Sequence, residues 1–423
     1  MKLTLKNIGK VGKASVEING ITVIAGENNT GKSTVGRALF SVFNSFCNVQ
    51  SQIKYERIKS IENLLDRLYM DHNSTFMIID TRGMAKSIVE RLDTCQQEDL
   101  QSKKREIMDF LLQREDLKSA SMDDNVLAET SKRIIDILNV SSMEYLKSLL
   151  QKKLNAEFNG QVCNIYSDDD GEIQLRIKDS SITVMVNSEG TIEIKNPNSI
   201  SLCTEVVYID DPFVLDEMNP FLWGRPINYA DHRDHLRMKL VLSDKGTNVL
   251  DEIIAQDKLN SIYEKLSSVC NGDIIRRKRS ELGYQKKGSD KVLNVRNLST
   301  GLKTFVILKM LLMSGAIEHN GTIVLDEPEI HLHPEWQLLF AELIVLIQIE
   351  FGVHVLLNTH SPYFLNAIEV YTAKYGISDK CKYYLASSQN EISYIEDVTD
   401  NIEAIYKKLV RPLQFLENER SQI

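Results

Sequence analysis

The sequence predicts an α/β fold in which a parallel sheet is covered by helices. Residues 21–25 form a nearly continuous apolar run that ends in a glycine-rich loop, and 32–46 then carry apolar residues at helical spacing. In the last third of the chain, apolar runs at 322–325 and 353–357 alternate with the helical pattern of 334–350. Such alternation is typical of buried parallel strands joined by helices.

The composition is that of a globular protein that can bury a large core. The chain has 423 residues, and its 50 basic and 59 acidic side chains give a net charge of −9. This balance excludes a wholly basic nucleic-acid coat, although a local basic patch remains compatible with it. The six cysteines are scattered without a CxxC pair, which predicts a reducing compartment. The N-terminus lacks a signal-like apolar region and no run reaches ~20 apolar residues. We therefore expect a cytoplasmic protein that does not enter the membrane.

Changes of pattern along the chain predict four segments. Charged amphipathic helices from about 50 to 158 are followed by period-two alternation at 161–195, which we interpret as an antiparallel meander. A buried strand at 206–209 precedes a mostly helical stretch and a basic hairpin. The predicted segments are an N-terminal part at 1–48, a helical and meander insertion at 49–200, a helical lobe with the basic hairpin at 201–296, and a C-terminal part at 297–423.

The first chemical motif fits G-x-x-x-x-G-K-[ST] and lies between a predicted strand and a predicted helix. Its glycines allow the backbone to wrap around a phosphate, with free N–H groups pointing at it. Lys32 is expected to reach the β- and γ-phosphates of ATP, and the Ser33 hydroxyl to bind Mg²⁺. A chance glycine turn is the alternative. The predicted nucleotide-binding residues of this loop are Gly26, Glu27, Asn28, Asn29, Thr30, Gly31, Lys32, Ser33 and Thr34.

A second motif, an acidic pair, follows the apolar run at 322–325. Asp326 is placed at the carboxyl end of a buried strand, the edge where α/β proteins bind ligands. We expect Asp326 to orient Mg²⁺ or its waters and Glu327 to activate the attacking water as a general base. Alone, such a pair is often a helix cap, but a phosphate-binding loop in the same chain favours the catalytic role.

Two shorter motifs complete the set. Ser299 and Gly301 lie in the string NLSTG, just before a long predicted helix whose N-terminus can bind an anion. An ordinary serine N-cap is the alternative. His360 lies in the string LLNTHSP, immediately beyond the apolar run at 353–357.

These four motifs, in this order, resemble those of the RecF/SMC/Rad50 branch of ATP-binding-cassette (ABC) ATPases. Ser299 and Gly301 resemble the Leu-Ser-x-Gly signature, and His360 resembles the switch histidine that contacts the γ-phosphate. The string LDEPEIHLHPEWQ at 325–337 is most similar to OLD-like ATPases, many of which serve anti-phage systems such as Septu and PARIS. The resemblance implies a P-loop NTPase fold, namely an ABC-type ATPase head carrying a helical plus antiparallel β insertion.

The resemblance also implies ligands, partners and roles. ATP and Mg²⁺ would be bound, with Glu327 and His360 as catalytic residues and Ser33 and Asp326 at the metal. Ser299 and Gly301 of one copy would act on nucleotide held by Lys32 of another, so a homodimer or higher homo-oligomer is implied.

The chain departs from the family pattern in two respects. After the predicted strand at 206–209 there is no Q-loop glutamine, and Asp210 or Asp211 occupies that place. OLD-like proteins often carry a C-terminal TOPRIM nuclease, whereas only about 60 residues follow His360, too few for an added domain. We therefore expect no nuclease activity in this chain.

Three further clusters admit two interpretations each. The basic hairpin can contact a DNA backbone or simply be solvated, with Arg276, Arg277, Lys278 and Arg279 as the candidate contacts. Glu329, His331 and His333 suggest metal binding, but the family string explains them without a metal. The charged string at 231–235 suggests a nuclease, but on a helix its groups point apart and predict a polar surface.

The leading functional hypothesis is an ATP-hydrolysing subunit of a bacterial anti-phage defence complex. Its partner would be a separately encoded effector nuclease. The first alternative is a RecF-like DNA repair or recombination ATPase, and the second is a scaffold that binds ATP with little hydrolysis. A transporter ATPase is disfavoured by the large insertion and the missing glutamine.

Overall fold

The computed structural model describes residues 1–72, 80–94, 100–112, 124–197, 199–218, 231–242, 261–276 and 282–421. The chain divides into two compact units. The head unit comprises Met1–Cys47 and Leu149–Ile423, and the helical unit comprises Asn48–Ser148. The second unit is therefore smaller than the insertion predicted over 49–200.

The described residues of the head unit form an 11-stranded mixed sheet and a three-stranded sheet. The strands are Lys2–Ile8 (β1), Val11–Glu17 (β2), Ile21–Gly26 (β3), Gly171–Ile177 (β4), Ser180–Val186 (β5), Ile192–Lys195 (β6), Val206–Ile209 (β7), Gly272–Arg276 (β8), Leu282–Lys286 (β9), Val292–Asn294 (β10), Thr322–Asp326 (β11), His354–Thr359 (β12), Cys381–Gln389 (β13) and Ile392–Asp397 (β14). The large sheet has the order β6-β5-β4-β1-β2-β14-β13-β3-β12-β11-β7.

Parallel strands form the half of the large sheet that positions the site. β13 and β12 flank β3, β11 follows β12, and β7 follows β11, all in parallel. Every residue of β3, β7 and β11 is buried, as their apolar runs predict. Because the carboxyl ends of parallel strands meet at one edge, the segments that follow these strands come together there.

The other half of the sheet explains the difference in unit boundaries. β4, β5 and β6 form the antiparallel meander that period-two alternation predicts. The meander pairs with the N-terminal strand β1, with Leu3 opposite Leu175 and Leu5 opposite Ile173. It therefore extends the head sheet, because its buried apolar face continues that of β1. Alternation alone does not indicate which strand a meander joins.

Helices cover the sheet and form the second unit. They are Lys32–Phe46 (α1), Val49–His72 (α2), Thr81–Thr94 (α3), Leu100–Leu112 (α4), Asp124–Asn139 (α5), Ser142–Glu157 (α6), His232–Leu242 (α7), 261–269 (α8), Thr300–Met313 (α9), Pro334–Phe351 (α10), Pro362–Lys374 (α11), Glu403–Leu409 (α12) and Arg411–Ser421 (α13). Within the described part of the chain, no helix is both long and apolar enough to cross a membrane.

Each unit has its own apolar core. In the helical unit, the predicted amphipathic helices α2, α4 and α5 bury their apolar faces, with Ile61, Ile107 and Ile134 each at most 2% exposed. In the head unit, the rings of Phe305 and Phe340 meet edge to face at 5.4 Å. Such aromatic pairs add ~0.5–1.5 kcal/mol beyond the burial of their surface.

The basic hairpin lies in the three-stranded sheet, where β9 pairs with both β8 and β10. Its first strand ends at Arg276. The other candidate DNA contacts, Arg277, Lys278 and Arg279, lie outside the described residues. The proposed DNA contact therefore rests on the sequence alone.

The charged string at 231–235 is not the polar surface that its sequence predicts. His232 is 6% exposed and His235 is 2% exposed. Both rings pair with carboxylates inside the head unit, His232 with Glu157 and Asp210, and His235 with Glu205. The prediction is wrong because it considers the helix alone, whereas carboxylates from the end of α6 and from both ends of β7 pair with these rings inside the fold.

Candidate nucleotide site

The phosphate-binding loop connects β3 to α1 and requires both of its glycines. Gly31 has a left-handed φ of +77° directly before α1 begins. A Cβ at Gly31 would lie 2.8 Å from Val11 Cγ2, and one at Gly26 would lie 2.5 Å from the carbonyl oxygen of Ala386. The loop therefore packs too closely on neighbouring strands for a side chain at either end.

The remaining residues of the loop differ in their exposure to solvent. Thr30 is buried, and its Oγ1 donates a hydrogen bond to the carbonyl oxygen of Glu27 at 2.8 Å. The other predicted phosphate-binding residues are exposed at Glu27, Asn28 and Asn29 and half-buried at Ser33 and Thr34. This division leaves the outer face of the loop open to a ligand.

Lys32 begins α1 and folds back over the loop. Its Nζ donates to the carbonyl oxygens of Gly26 at 3.0 Å and Glu27 at 2.8 Å. It also lies 3.3 Å from Glu327 Oε1. The side chain is only 3% exposed, and a buried ammonium group needs such partners to offset its lost hydration.

Asp326 ends the buried strand β11, and both of its carboxylate oxygens are held. Oδ2 accepts a hydrogen bond from the Tyr208 hydroxyl at 2.8 Å. Oδ1 accepts one from Asn358 Nδ2 at 2.9 Å, while the buried Asn358 Oδ1 has no hydrogen-bond partner among the described residues. Two donors from neighbouring strands therefore fix the orientation of this carboxylate.

Glu327 has an unusual backbone conformation. Its φ is +51°, although it is not glycine, and its N–H donates to the carbonyl oxygen of Asn358 at 2.9 Å. A left-handed non-glycine residue typically costs ~1–3 kcal/mol and is concentrated at functional sites. The turn directs the side chain toward Lys32 and His360, whose Nδ1 lies 3.4 Å from Glu327 Oε1.

The electrostatics of Glu327 and His360 are mutually dependent. Contact with the His360 ring lowers the pKa of Glu327 despite partial burial, and the Lys32 ammonium acts in the same direction. The Glu327 carboxylate in turn raises the pKa of His360 above its ordinary value. Each group therefore favours the charged form of the other.

Glu329 lies in the site, although the sequence does not indicate its role there. It is 2% exposed, and its Oε1 accepts hydrogen bonds from Thr359 Oγ1 at 2.5 Å and from the His360 backbone N–H at 3.2 Å. Burial raises its pKa. Glu329 thus anchors the segment that carries His360. The glutamate is visible in the sequence, but its partner lies on β12 and no local signal indicates that pairing.

Asp210 and Asp211, the two candidates for the place of the missing Q-loop glutamine, differ in their surroundings. Asp211 accepts a hydrogen bond from the Phe213 N–H at 2.8 Å and caps a short 3-10 helix. Asp210 lines a small cavity together with Glu327. Of the pair, Asp210 is therefore the one beside the predicted catalytic carboxylate.

The predicted signature residues line a different cleft. Ser299 precedes α9, and its side chain makes no capping hydrogen bond. Ser299 and Gly301 share this open cleft with His331, His333 and Trp336. A Cβ at Gly301 would lie 2.8 Å from the His331 carbonyl oxygen. Among the described residues, no hydrogen bond or ion pair joins Ser299 or Gly301 to Lys32.

Parts of the chain are similar in sequence to known proteins. Residues 207–366 match the family model described as "AAA domain, putative AbiEii toxin, Type IV TA system". A curated relative, the "Retron Vc95 probable ATPase" of Vibrio cholerae serotype O1 biovar El Tor, is 27% identical over 129 residues. That match covers 27% of this chain and about a quarter, 24%, of the relative.

Among solved structures, two SMC heads are similar at 12% identity. One is the Smc head domain of Pyrococcus furiosus with an extended coiled coil, bound to the C-terminal domain of ScpA, with a TM-score of 0.43 and coverage of 99% of this chain and 98% of that chain. The other is the SMC head domain of Thermotoga maritima, with a TM-score of 0.37 and coverage of 94% and 98%.

The observed fold agrees with the fold class that the sequence predicts. It is an α/β fold with a large mixed sheet, and residues 207–366 are similar to the AAA domain of that family model. The α/β P-loop fold that the sequence predicts is therefore confirmed.

Proposed function

We propose that this protein is a Mg²⁺-dependent ATP hydrolase that binds ATP between two copies and switches a complex by hydrolysing it. One observation carries this proposal: Lys32, Glu327 and His360, from three separate parts of the chain, meet at one carboxylate oxygen. Asp326 ends the strand that leads into the same turn.

The loop and Lys32 bind the phosphates. The loop amides and the N-terminus of α1 attract negative charge. The Lys32 ammonium, now held by two carbonyl oxygens and Glu327, is positioned to exchange these contacts for phosphate oxygens.

The residues present fit a magnesium ion. Asp326 and Ser33 offer the oxygen ligands that Mg²⁺ prefers, and Asn358 Oδ1, which has no hydrogen-bond partner in the described part of the chain, lies in the same polar cluster. The ion, when bound, would supply charge neutralisation of the phosphates. Asp326 contributes a carboxylate already oriented by Tyr208 and Asn358.

Glu327 accepts the proton of the attacking water, and His360 stabilises charge on the reacting phosphate. A carboxylate whose pKa is lowered is ionised at neutral pH, as a general base must be. His360, whose pKa is raised by Glu327, carries positive charge more readily and can stabilise charge that develops on the γ-phosphate.

A second copy completes the site. The Ser299 hydroxyl is unused in capping and lies at the N-terminus of the long helix α9, in a cleft distinct from the Lys32 contacts. Resemblance of the NLSTG string to the ABC signature supports an action of Ser299 and Gly301 on ATP held by Lys32 of another copy.

The proposed biological role is that of an ATPase subunit in anti-phage defence. The OLD-like string at 325–337 supports it, as does the partial likeness to a retron ATPase. A separately encoded effector nuclease is the proposed partner, and ATP turnover would control its release or activation.

The experiment compares the wild type with Glu327→Gln in Mg·ATP, measuring phosphate release and molar mass by light scattering. We expect the variant to lose about 10²- to 10⁴-fold in turnover, the range typical of general bases, while it accumulates as an ATP-bound dimer. Glu193→Gln, at an exposed glutamate of the meander, serves as the control and keeps wild-type turnover. Equal phosphate release by wild type and Glu327→Gln would exclude the catalytic role, and wild type without turnover would favour a scaffold.

A further inference from the structure

A buried hydroxyl connects β7 to the aspartate at the end of β11. Tyr208 is fully buried, and its hydroxyl donates to Asp326 Oδ2 at 2.8 Å. Burial raises the pKa of Tyr208 well above its ordinary value, so the group remains a neutral donor. Because Asp326 cannot rotate without breaking this bond, its orientation depends on where Tyr208 lies.

The Tyr208 ring is itself held by His232. The two rings stack with centroids 4.3 Å apart and planes inclined by 27°. On one side, His232 Nδ1 lies 2.8 Å from Glu157 Oε2, and on the other, Nε2 lies 3.0 Å from Asp210 Oδ2. Glu157 therefore hydrogen-bonds the imidazole at one end, and Asp210 forms an ion pair with it at the other.

Glu157 fixes His232 a second time through the backbone. Its Oε1 accepts a hydrogen bond from the His232 N–H at 2.6 Å, at the first residue of α7. Although burial alone lowers the pKa of His232, its contacts with Asp210 and Glu157 outweigh burial and raise it to about 9. The stacked ring is thus cationic at neutral pH, which strengthens its contact with the electron-rich face of Tyr208.

We propose that Glu157, His232 and Tyr208 form a positioning relay that orients Asp326 for metal binding. The relay rests on the proposed function, since it assigns Asp326 to the metal of the ATP site. Glu157 is the last residue of α6 and lies in the head unit. A displacement of the end of α6 therefore reaches the metal-binding carboxylate through three contacts.

Helix α1 packs closely against the Tyr208 hydroxyl. A Cβ at Gly36 of α1 would lie 3.1 Å from the Tyr208 hydroxyl and 2.9 Å from Val324 Cγ1. The hydroxyl is therefore confined between α1 and β11. Tight packing of this kind transmits small shifts rather than absorbing them.

Two variants and one matched control test the relay in the full chain. Tyr208→Phe keeps the stacked ring and removes the hydroxyl, and Glu157→Gln keeps the shape of the first link and removes its charge. The control is His235→Gln, which disrupts another pair of a buried histidine and a carboxylate, one turn later on α7. His235 Nε2 lies 3.3 Å from Glu205, and the centroid of its ring lies 5.5 Å from that of Phe40.

The main readout is the affinity for Mn²⁺ in the presence of a non-hydrolysable ATP analogue, measured from the electron paramagnetic resonance signal of free Mn²⁺. The second readout is the Mg²⁺ concentration that gives half-maximal phosphate release. We expect Tyr208→Phe to weaken Mn²⁺ binding about tenfold, as losses around metal ligands typically do, and Glu157→Gln to weaken it less. In these variants the affinity for the analogue without metal stays unchanged. The Mn²⁺ affinity of His235→Gln stays within about twofold of that of the wild type.

Unchanged Mn²⁺ affinity in Tyr208→Phe overturns the relay, as does an equal loss in His235→Gln. If Tyr208→Phe does not fold, Glu157→Gln serves as the test. In that case an Mn²⁺ affinity equal to that of the wild type overturns the relay. A wild-type protein that neither binds Mn²⁺ with nucleotide nor hydrolyses ATP would overturn the proposed function together with the relay. Wild-type turnover with metal affinity unaffected by these variants overturns the relay alone.

Discussion

Lys32 Nζ lies 3.3 Å from Glu327 Oε1, and His360 Nδ1 lies 3.4 Å from the same oxygen. Lys32 follows β3, Glu327 follows β11, and His360 follows β12, which lies between those two strands in the sheet. The sheet order therefore brings three distant motifs to one atom. The predictions for Lys32, Gly31 and Glu329 depend on this meeting point or on the packing that maintains it.

Lys32→Met should weaken ATP binding by at least about 100-fold, because each of the two charge-assisted contacts expected with phosphate is worth ~1.5–3 kcal/mol. Met has nearly the same length, so the buried position stays filled. Isothermal titration with ATP measures the effect. Lys408→Met is the control, since Lys408 pairs at 3.5 Å with an exposed Glu27 carboxylate and should change affinity less than about threefold. Equal effects of the two substitutions would contradict the role of Lys32.

Gly31→Ala should destabilise the head and abolish ATP binding. The added Cβ meets Val11 Cγ2 at 2.8 Å in a backbone with φ of +77°. Gly288→Ala is a matched control, because Gly288 has φ of +78° and no atom of the described residues lies within 4 Å of its Cβ. We expect the control to cost only the ~1–2 kcal/mol of left-handed strain, and to leave ATP binding intact. Thermal unfolding and ATP titration distinguish the two, and similar losses would refute the packing argument.

Glu329→Ala should lower the turnover number by about tenfold with little change in the Michaelis constant for ATP. The reason is that Glu329 positions His360 through the Thr359 hydroxyl and the His360 N–H, and a misplaced group acts mainly in the transition state. Glu329→Gln keeps an acceptor oxygen and should restore most of the turnover. Steady-state kinetics provide the measurement. A rise in the Michaelis constant alone would argue against positioning.

Glu342 should make stability depend on pH in the acidic range. Burial alone raises its pKa, but hydrogen bonds from Lys265, Tyr375 and Lys374 outweigh burial and lower it from 4.5 to about 2. A lowered carboxyl pKa stabilises the fold above the unfolded value of 4.5, and this stabilisation is lost as pH falls toward 2.

Glu342→Gln should therefore cost ~1–3 kcal/mol at pH 7 and progressively less below about pH 5. The difference in melting temperature between variant and wild type, followed from pH 7 to pH 3, measures this. Glu193→Gln, at an exposed position, should show no such trend. A difference that stays constant over the whole range would contradict the assignment.

The parts of the site that the sequence predicts are those with local signals. The apolar run of β3, the glycines of the loop and the helical spacing of α1 lie next to each other in the chain, so their arrangement follows from neighbouring residues. Asp326 and His360 are likewise marked by the apolar strands that precede them. Strand ends at a common edge then predict that these groups meet.

The parts that the sequence does not predict depend on partners far along the chain. Nothing near Tyr208 indicates that its hydroxyl binds Asp326, and nothing near His232 indicates that Glu157 lies beside it. The polar residues of 231–235 therefore predict a surface, although tertiary ion pairs place them inside. The meander shows the same limit, because its alternation predicts hairpins but not their pairing with β1.

The central claim, a nucleotide site completed by a second copy, is tested most directly by mixing two inactive variants. Lys32→Met removes phosphate binding, and Ser299→Arg blocks the signature cleft. In a mixed dimer, one site combines the intact Lys32 of one copy with the intact Ser299 of the other. We predict that the mixture recovers up to about a quarter of wild-type phosphate release, since half of the dimers are mixed and each holds one intact site. A mixture no more active than either variant alone would contradict the account.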